Sequence, residues 1–126
     1  MMELILPWPP TVNHYKKIGG TRITKKGKSY QARVNTSETK VFYYEVWLKL
    51  RHLKLESFKN ARLSVEIRLY ADSHRKMDID NRVKVLLDAL QKGNLYDDDS
   101  QIDRLLITRC NPEPPIGKVI VIVSKI

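Results

Sequence analysis

Residues 61–70 alternate apolar and polar side chains with a period of two, and this pattern constrains the fold more than any other stretch. The apolar members all fall on one face: Leu63, Val65, Ile67 and Leu69. Successive side chains of a strand point to opposite faces of its sheet. The pattern therefore predicts a strand over 61–70 with one face in the core and the other partly exposed.

Two stretches have helical periodicity instead. One helix is predicted over about 80–92, where four apolar residues recur at offsets 0, 3, 4 and 7, namely Val83, Leu86, Leu87 and Leu90. Gly93 is well placed to end this helix. A longer helix is predicted over about 36–55, where Asn35 and Glu38 have the spacing of a capping box. We expect its apolar stripe to face the core: Val41, Tyr44, Leu48 and Leu55, with Trp47 and Leu50 beside them.

Shorter segments complete the predicted order of elements. Residues 3–6 read as a strand that the prolines of 7–10 end, because proline cannot continue a ladder. Residues 14–33 are basic and glycine-containing, and they read as a loop or a small hairpin arm. Two more strands are predicted over 104–109 and 118–124. This order predicts an α/β or α+β fold, a small single domain over residues 1–126 with a mixed β-sheet packed by two main helices.

Composition excludes several other classes of protein. The chain has 126 residues, of which 42% are hydrophobic, which is enough for a core. Its single cysteine excludes a disulfide framework and any multi-cysteine metal site, and it fits a reducing cytosol. The longest apolar run, residues 119–123, is far shorter than the roughly 20 residues of a membrane-spanning helix. No phosphate-binding loop or dinucleotide fingerprint is present, so no membrane and no organic cofactor are expected.

The charge of the chain is strongly basic and unevenly distributed. Lys and Arg number 23 against 14 Asp and Glu, which gives a net charge of +9. Residues 1–60 hold 12 basic and 4 acidic side chains, whereas residues 61–126 hold 11 and 10. This distribution favours a polyanionic partner, most commonly a nucleic acid, over a protein that is merely basic.

Half of the acids are nevertheless concentrated between residues 78 and 103. Asp78 and Asp80 are two residues apart, so in extended chain both carboxylates point the same way and can reach one Mg²⁺. The run Asp97, Asp98 and Asp99 lies past the other end of the predicted helix, and folding can return it to the first pair. Several carboxylates beside a basic surface are what metal-dependent phosphodiester hydrolysis requires.

Lys84 lies four residues after Asp80 and four before Asp88, on one face of the predicted helix. In a nuclease, its ammonium would stabilise charge that develops on the scissile phosphate. Structural alternatives stay open for each residue. Lys84 can belong to an exposed ladder of ion pairs, Asp80 or Asn81 can cap the helix, and the acids of 97–99 can form a solvated turn.

Three segments together resemble the RusA family of phage and prophage Holliday junction resolvases. They are the Pro-Trp-Pro-Pro opening with its following Asn and Tyr at 7–15, the D-x-D-N-x-x-K segment at 78–84, and the D-D-x-Q segment at 98–101. The resemblance implies a small mixed α/β homodimer that cuts four-way DNA junctions with Mg²⁺ or Mn²⁺. By position, the implied essential residues are Asp78, Asp80, Asp99 and Lys84. Asp98 would be a supporting metal ligand, and the choice between Asp98 and Asp99 stays open.

The DNA contacts are expected from basic residues of the N-terminal half and of the segment before Asp78. These candidates are Lys16, Lys17, Arg22, Lys25, Lys26, Lys28, Arg75 and Lys76. Trp8 or Tyr15 either stacks on an unpaired base or packs within the protein. Two other functions remain open, a nuclease for flaps or forks and a junction-binding protein that does not cut. A cytoplasmic protein of a bacterial host or phage is expected.

Overall fold

A computed structural model describes residues 1–11, 16–23 and 29–126, with the backbone alone described for 16–23 and 29–35. The described residues form six strands, two α-helices and one 3-10 helix. The strands are β1 (Met2–Leu6), β2 (Lys16–Ile23), β3 (Ser29–Asn35), β4 (Leu63–Tyr70), β5 (Ile102–Arg109) and β6 (Lys118–Lys125). The helices are α1 (Ser37–His52), α2 (Val83–Lys92) and the 3-10 helix Asp99–Gln101.

Four of the strands form a mixed sheet in the order β1-β6-β4-β5. Strand β6 pairs antiparallel with both β1 and β4, whereas β4 and β5 are parallel. Parallel neighbours need a crossover connection, and here it contains α2. Strands β2 and β3 pair as a separate antiparallel hairpin, so the hairpin alternative for 14–33 is confirmed. The predicted α+β fold with a mixed sheet and two helices is confirmed.

The alternation of 61–70 places the core as predicted. Leu63, Val65 and Ile67 are fully buried. Strand β6 repeats the pattern, and its inward side chains are also fully buried: Val119, Val121 and Val123. Helix α2 covers this face with its own buried stripe, Val83, Val85, Leu86, Ala89 and Leu90. The core therefore lies between one face of the sheet and the two helices.

Helix α1 differs from its prediction at both ends and in the face that it buries. Its N-cap is Thr36, whose side chain accepts a hydrogen bond from Thr39 N, so the assignment of Asn35 as the cap is wrong. The helix ends at His52 rather than near residue 55. Its buried residues are Thr39, Phe42, Val46 and Leu50. Of the six residues predicted to face the core, Leu50 is buried and Leu55 is partly buried against the core, whereas the other four are exposed: Val41, Tyr44, Trp47 and Leu48.

Helix α2 begins at Val83, three residues later than predicted, and Gly93 follows its last residue. A Cβ on Gly93 would stand 2.5 Å from Leu50 Cδ1, so a glycine here lets the two helices approach closely. Residues 71–82 form the loop from β4 to α2. Gly117, at φ +70°, packs closely against the start of this loop. A Cβ there would stand 2.7 Å from Asp72 N and 2.8 Å from Tyr70 O, so the position favours glycine.

In the described part of the chain, no helix is long and apolar enough to cross a membrane.

Candidate active site

Asp78 and Asp80 lie in the loop that precedes α2, and both are exposed. The local turn is held by backbone hydrogen bonds: Asn81 N donates to Asp78 O at 3.2 Å, and Val83 N donates to Asp80 O at 3.2 Å. The N-cap of α2 is Arg82, and no side chain caps the helix. The capping alternative for Asp80 and Asn81 is therefore wrong. The two carboxylates remain exposed to solvent, where a ligand can reach them.

Lys84 lies on the first turn of α2, between two carboxylates. Its Nζ is 2.8 Å from Asp88 Oδ1, the ion pair that spacing along the helix predicts. The same Nζ is 3.7 Å from Asp99 Oδ2, which the chain returns to α2 from beyond Gly93. The side chains of Asp88 and Asp99 are only 21% and 25% exposed, whereas Lys84 is 56% exposed. An ammonium thus stands at the surface above two partly buried acids.

Asp99 is held in place by two residues that the sequence analysis did not single out. The hydroxyl of Tyr96 lies 2.7 Å from Asp99 Oδ1 and 2.9 Å from Leu87 O, so its single proton is donated to one or the other. Gln91 Oε1 accepts a hydrogen bond from Asp99 N at 3.2 Å. Burial, followed by the hydrogen bond to Asp99, raises the pKa of the Tyr96 hydroxyl far above its usual range. The hydroxyl therefore stays protonated and available as a donor.

Asp98 has a different local role from its neighbour. It caps the 3-10 helix, because its Oδ2 accepts from Ser100 N at 2.9 Å, and it forms a capping box with Gln101. Hydrogen bonds from Ser100 lower the pKa of the Asp98 carboxyl. The Asp-x-x-Gln spacing is a capping-box signature that sequence rules alone can find. With the carboxylate of Asp98 engaged in capping and that of Asp99 beside Lys84, the geometry favours Asp99 as the third acid.

Gln101 is the buried polar residue that supports this turn, at 5% exposure. Its Oε1 accepts from Asp97 N at 3.0 Å and from Asp98 N at 2.9 Å. Its Nε2 donates to Lys59 O at 2.8 Å and to Ala61 O at 2.7 Å. One amide side chain therefore fastens the acidic turn to the segment that precedes β4.

The fit of these acids to a metal ion is partial. Carboxylate oxygens are the ligands that Mg²⁺ and Mn²⁺ prefer, so the chemistry of the donor set fits. Among the residues that the structure describes, which include all four candidates, no group of three or more His, Cys, Asp or Glu side chains is close enough to hold one metal. Joint metal binding by Asp78, Asp80, Asp98 and Asp99 stays a prediction.

Two basic candidates, Arg75 and Lys76, are exposed in the loop before Asp78. Lys76 and Asp78 line a shallow depression of about 430 Å³ together with Arg109, whose guanidinium donates to Met77 O at 2.9 Å. The sequence analysis did not single out Arg109, which lies 32 residues after Met77. It gives the loop a third cation.

The remaining basic candidates fall between residues 16 and 28 of the sequence. Lys16, Lys17 and Arg22 lie on β2, where the backbone alone is described. Lys25, Lys26 and Lys28 lie outside the described residues, as does Tyr15. Their contacts with DNA stay predictions.

Trp8 packs within the protein, which is one of the two alternatives that the sequence left open for it. It is only partly exposed and lies against the core, and the guanidinium of Arg82 stands 4.7 Å from its ring centroid. Arg82 also donates to Pro9 O, which ties the N-terminal proline segment to the loop that carries Asp80. Burial lowers the pKa of the Arg82 guanidinium, and the negative charges of Asp72 and Glu38 offset part of this shift. This contact joins two of the three segments that resemble the RusA family.

The family model described as Endodeoxyribonuclease RusA matches residues 7–123 of the chain. The chain belongs to the RusA family. The crossover junction endodeoxyribonuclease of Enterobacteria phage HK97 is 30% identical over 109 residues, which cover 85% of this chain and 81% of that protein. The RusA proteins of Shigella sonnei and of Enterobacteria phage 82 are each 28% identical over 102 residues, covering 79% of this chain and 75% of theirs. The RusA match includes every predicted acid and Lys84, and the resemblance is confirmed.

Proposed function

We propose that this protein is a metal-dependent, structure-selective endodeoxyribonuclease that resolves four-way DNA junctions by paired, symmetric hydrolysis of phosphodiesters. The observation that carries the proposal is that the family match spans residues 7–123 and includes an acidic site with a lysine held between two carboxylates. Relatives named as crossover junction endodeoxyribonucleases support the choice of substrate.

Asp78, Asp80 and Asp99 are the proposed ligands of Mg²⁺ or Mn²⁺, with Asp98 in support. When bound, such an ion neutralises phosphate charge and provides a nucleophilic water at neutral pH. The exposure of Asp78 and Asp80 leaves their oxygens accessible from the surface at which DNA must arrive. Tyr96 and Gln91 hold Asp99 by its Oδ1 and its backbone N–H, so that its Oδ2 stays directed towards Lys84.

Lys84 is the proposed cation for the scissile phosphate. Asp88 and Asp99 fix its ammonium near the surface without burying it, since the side chain is 56% exposed. A cation fixed in advance stabilises developing negative charge without having to reorganise during the reaction. Asp88 is thus a positioning residue for Lys84 in this account.

DNA would be held by its phosphates and recognised mainly by its branched shape. Arg75, Lys76 and Arg109 supply positive charge near Asp78, and the basic residues between 16 and 28 supply the rest of the predicted contacts. Contacts with phosphates carry no sequence information, so selectivity for a junction must come from geometry. Binding by several lysines and arginines should weaken steeply as salt rises.

Two incisions in opposing strands require two active sites, and each chain supplies one acidic site. A homodimer with a two-fold axis matches the pseudo-symmetry of a four-way junction. The proposed active form is therefore the homodimer.

Asp80→Asn tests the proposal, with Asp97→Asn as a matched control in the same acidic region. Asp97 is exposed and none of the described contacts uses its carboxylate, so the control should cut at the parental rate. Asp80→Asn should lose cleavage of an end-labelled junction by about a hundredfold or more while junction binding is kept or tightened, since one repulsive charge is removed. Parental cleavage by Asp80→Asn would show that the site is wrongly assigned. Tight junction binding by the parental protein without cuts in Mg²⁺ or Mn²⁺ would favour a binding protein.

A further inference from the structure

The turn over residues 78–81 carries two of the proposed metal ligands, but it is largely exposed and has few contacts with the rest of the described chain. Beyond the first residue of its loop, and apart from bonds with α2, two described hydrogen bonds tie this loop to other elements. An arginine donates each of them to a backbone carbonyl. Arg109 donates to Met77 O at 2.9 Å, and Arg82 donates to Pro9 O. One bond therefore lies on each side of the turn.

The side chain of Arg82 is fixed by packing as well as by its hydrogen bond. It is partly buried, and its guanidinium stands 4.7 Å from the ring centroid of Trp8, which packs against the core. Asp72 and Glu38 act on its charge from a distance, and within the described part of the chain Arg82 forms no ion pair. Partial burial of a cation without a contacting carboxylate costs free energy, so stability alone does not account for an arginine here.

Arg82 also stands at the junction between the turn and α2. It is the N-cap residue of a helix that no side chain caps. Its C=O accepts a hydrogen bond from Leu86 N at 3.2 Å, and Val83 N donates to Asp80 O at 3.2 Å. One residue therefore links three parts of the protein: the acidic turn, the first turn of α2 that carries Lys84, and the N-terminal proline segment.

The resemblance to the RusA family assigns no role to Arg82, since it stands at an unspecified position of the D-x-D-N-x-x-K segment. A role follows instead from what a metal ion needs. Mg²⁺ demands a nearly ideal arrangement of its oxygen ligands. Its apparent affinity falls with the fraction of molecules whose turn already has the binding conformation.

We infer that Arg82 is a positioning residue for the metal site: its contacts with Pro9 and Trp8 hold the turn so that Asp78 and Asp80 are ready to take the ion. This inference rests on the proposed function. Arg82 acts through the two acids and contacts neither the ion nor the DNA. Removal of groups that orient metal ligands typically weakens metal binding by about ten- to a hundredfold.

The charge of Arg82 makes the direction of the effect informative. Arg82→Met keeps an unbranched side chain over Trp8, but it removes one positive charge and the donor to Pro9 O. Loss of a positive charge near the acids favours, by itself, the binding of another cation. Weaker binding of Mn²⁺ by the folded variant must therefore come from the turn. We expect the dissociation constant for Mn²⁺, measured by calorimetry, to rise about tenfold.

Arg68→Met is the matched control. Arg68 is also partly buried, and its hydrogen bond is made with Glu66 on β4, outside the loop. This variant loses the same charge and should bind Mn²⁺ as the parental protein does. Unchanged or tighter binding by Arg82→Met would overturn the inference while the proposed function stands. A parental protein that binds no Mn²⁺ would overturn the proposed function, and the role of Arg82 with it.

Amide hydrogen exchange without metal reports on the turn directly. In the parental protein, Asn81 N–H and Val83 N–H should be protected by their hydrogen bonds. In Arg82→Met these two amides should exchange about tenfold faster, whereas the amide of Val121 on β6 should keep its rate. Unprotected amides in the parental protein, or equal rates in the two proteins, would contradict the inference.

Arg82→Lys provides a second variant. Lysine keeps the charge, but its stem is one atom shorter and it lacks the planar fork that lies over Trp8. Its affinity for Mn²⁺ should lie between those of the parental protein and Arg82→Met. If Arg82→Met does not fold, Arg82→Lys takes its place, and parental affinity would count against the inference.

Cleavage measured against Mn²⁺ concentration separates positioning from a direct part in the reaction. Both variants keep all the proposed reacting groups, so both should approach the parental rate at saturating Mn²⁺ and need more Mn²⁺ to reach half of it. A rate that stays low at saturating Mn²⁺ would place Arg82 in the reaction itself and refute a positioning role.

Discussion

Replacing Gln101 by leucine should destabilise the protein far more than the same change at Gln91. Gln101 is buried and its amide makes four hydrogen bonds, two as acceptor and two as donor. The amide of Gln91 accepts one described hydrogen bond, from Asp99 N. Leucine has a similar size and no polar atoms, so the two variants compare the polar contacts of each site at nearly constant volume.

The magnitude follows from which backbone groups lose their partners. Asp97 N also donates a hydrogen bond to Lys59 O at 3.0 Å, so these two groups still have each other as partners in Gln101→Leu. Asp98 N and Ala61 O lose their bonds with Gln101. Each buried group left without a partner costs about 1–3 kcal/mol, and water reaches part of this edge, so we expect a loss of about 2–4 kcal/mol. Gln91→Leu should cost about 0.5–1.5 kcal/mol.

Urea unfolding followed by circular dichroism measures both variants against the parental protein. In thermal unfolding, the larger loss corresponds to a drop of about 8–16 °C in Tm for a chain of this size. Because Gln101 anchors the turn that carries Asp98 and Asp99, cleavage should also fall at temperatures where the variant is still folded. The reasoning would be refuted if the free energies of unfolding of Gln101→Leu and Gln91→Leu differed by less than about 0.5 kcal/mol. That is about the size expected for a single hydrogen bond.

Three further predictions concern single contacts. Tyr96→Phe removes the hydroxyl 2.7 Å from Asp99, so it should weaken Mn²⁺ binding measured by calorimetry as well as cleavage, and unchanged metal affinity would count against the positioning of Asp99. Gly117→Ala should cost about 1–3 kcal/mol in urea unfolding, since its φ is +70° and a Cβ would stand 2.7 Å from a backbone nitrogen; parental stability would contradict this. Arg62 lowers the pKa of Asp103, so this pair stabilises the fold above the ordinary Asp pKa of about 3.9, and the stabilisation is lost as pH falls through the lower, folded-state pKa. The Tm of Asp103→Asn should therefore lie below that of the parental protein at pH 7 and approach it in acid, and a gap that persists in acid would argue against the pair.

The sheet could be predicted from sequence because a period of two leaves little choice of face. Val65 and Ile67 had to lie on the same side of β4, and burial of that side follows from their apolar character. Helix α2 was equally clear, since its apolar residues form one stripe. Helix α1 has apolar residues on two faces, and periodicity does not say which face the sheet covers. The prediction assigned the face with Tyr44 and Leu48 to the core, whereas in the structure the face with Phe42 and Val46 is buried there.

The candidate site was predictable in its residues more than in its contacts. Spacing along one helix predicts the pair of Lys84 with Asp88, which the structure confirms. The approach of Asp99 to Lys84 depends on how the chain turns after Gly93, and no local pattern specifies that distance. Tyr96 was missed because its role comes from a buried hydroxyl, and burial is a property of the whole fold.

The central claim is that this protein cuts four-way junctions with the help of a metal. The most direct test incubates the purified protein with an end-labelled four-way junction and with a linear duplex of the same sequence, each with Mg²⁺ and with EDTA. We expect paired nicks at symmetric positions in opposing strands of the junction, none in the duplex, and none with EDTA. An intact junction in both Mg²⁺ and Mn²⁺, or equal cutting of the linear duplex, would contradict the account.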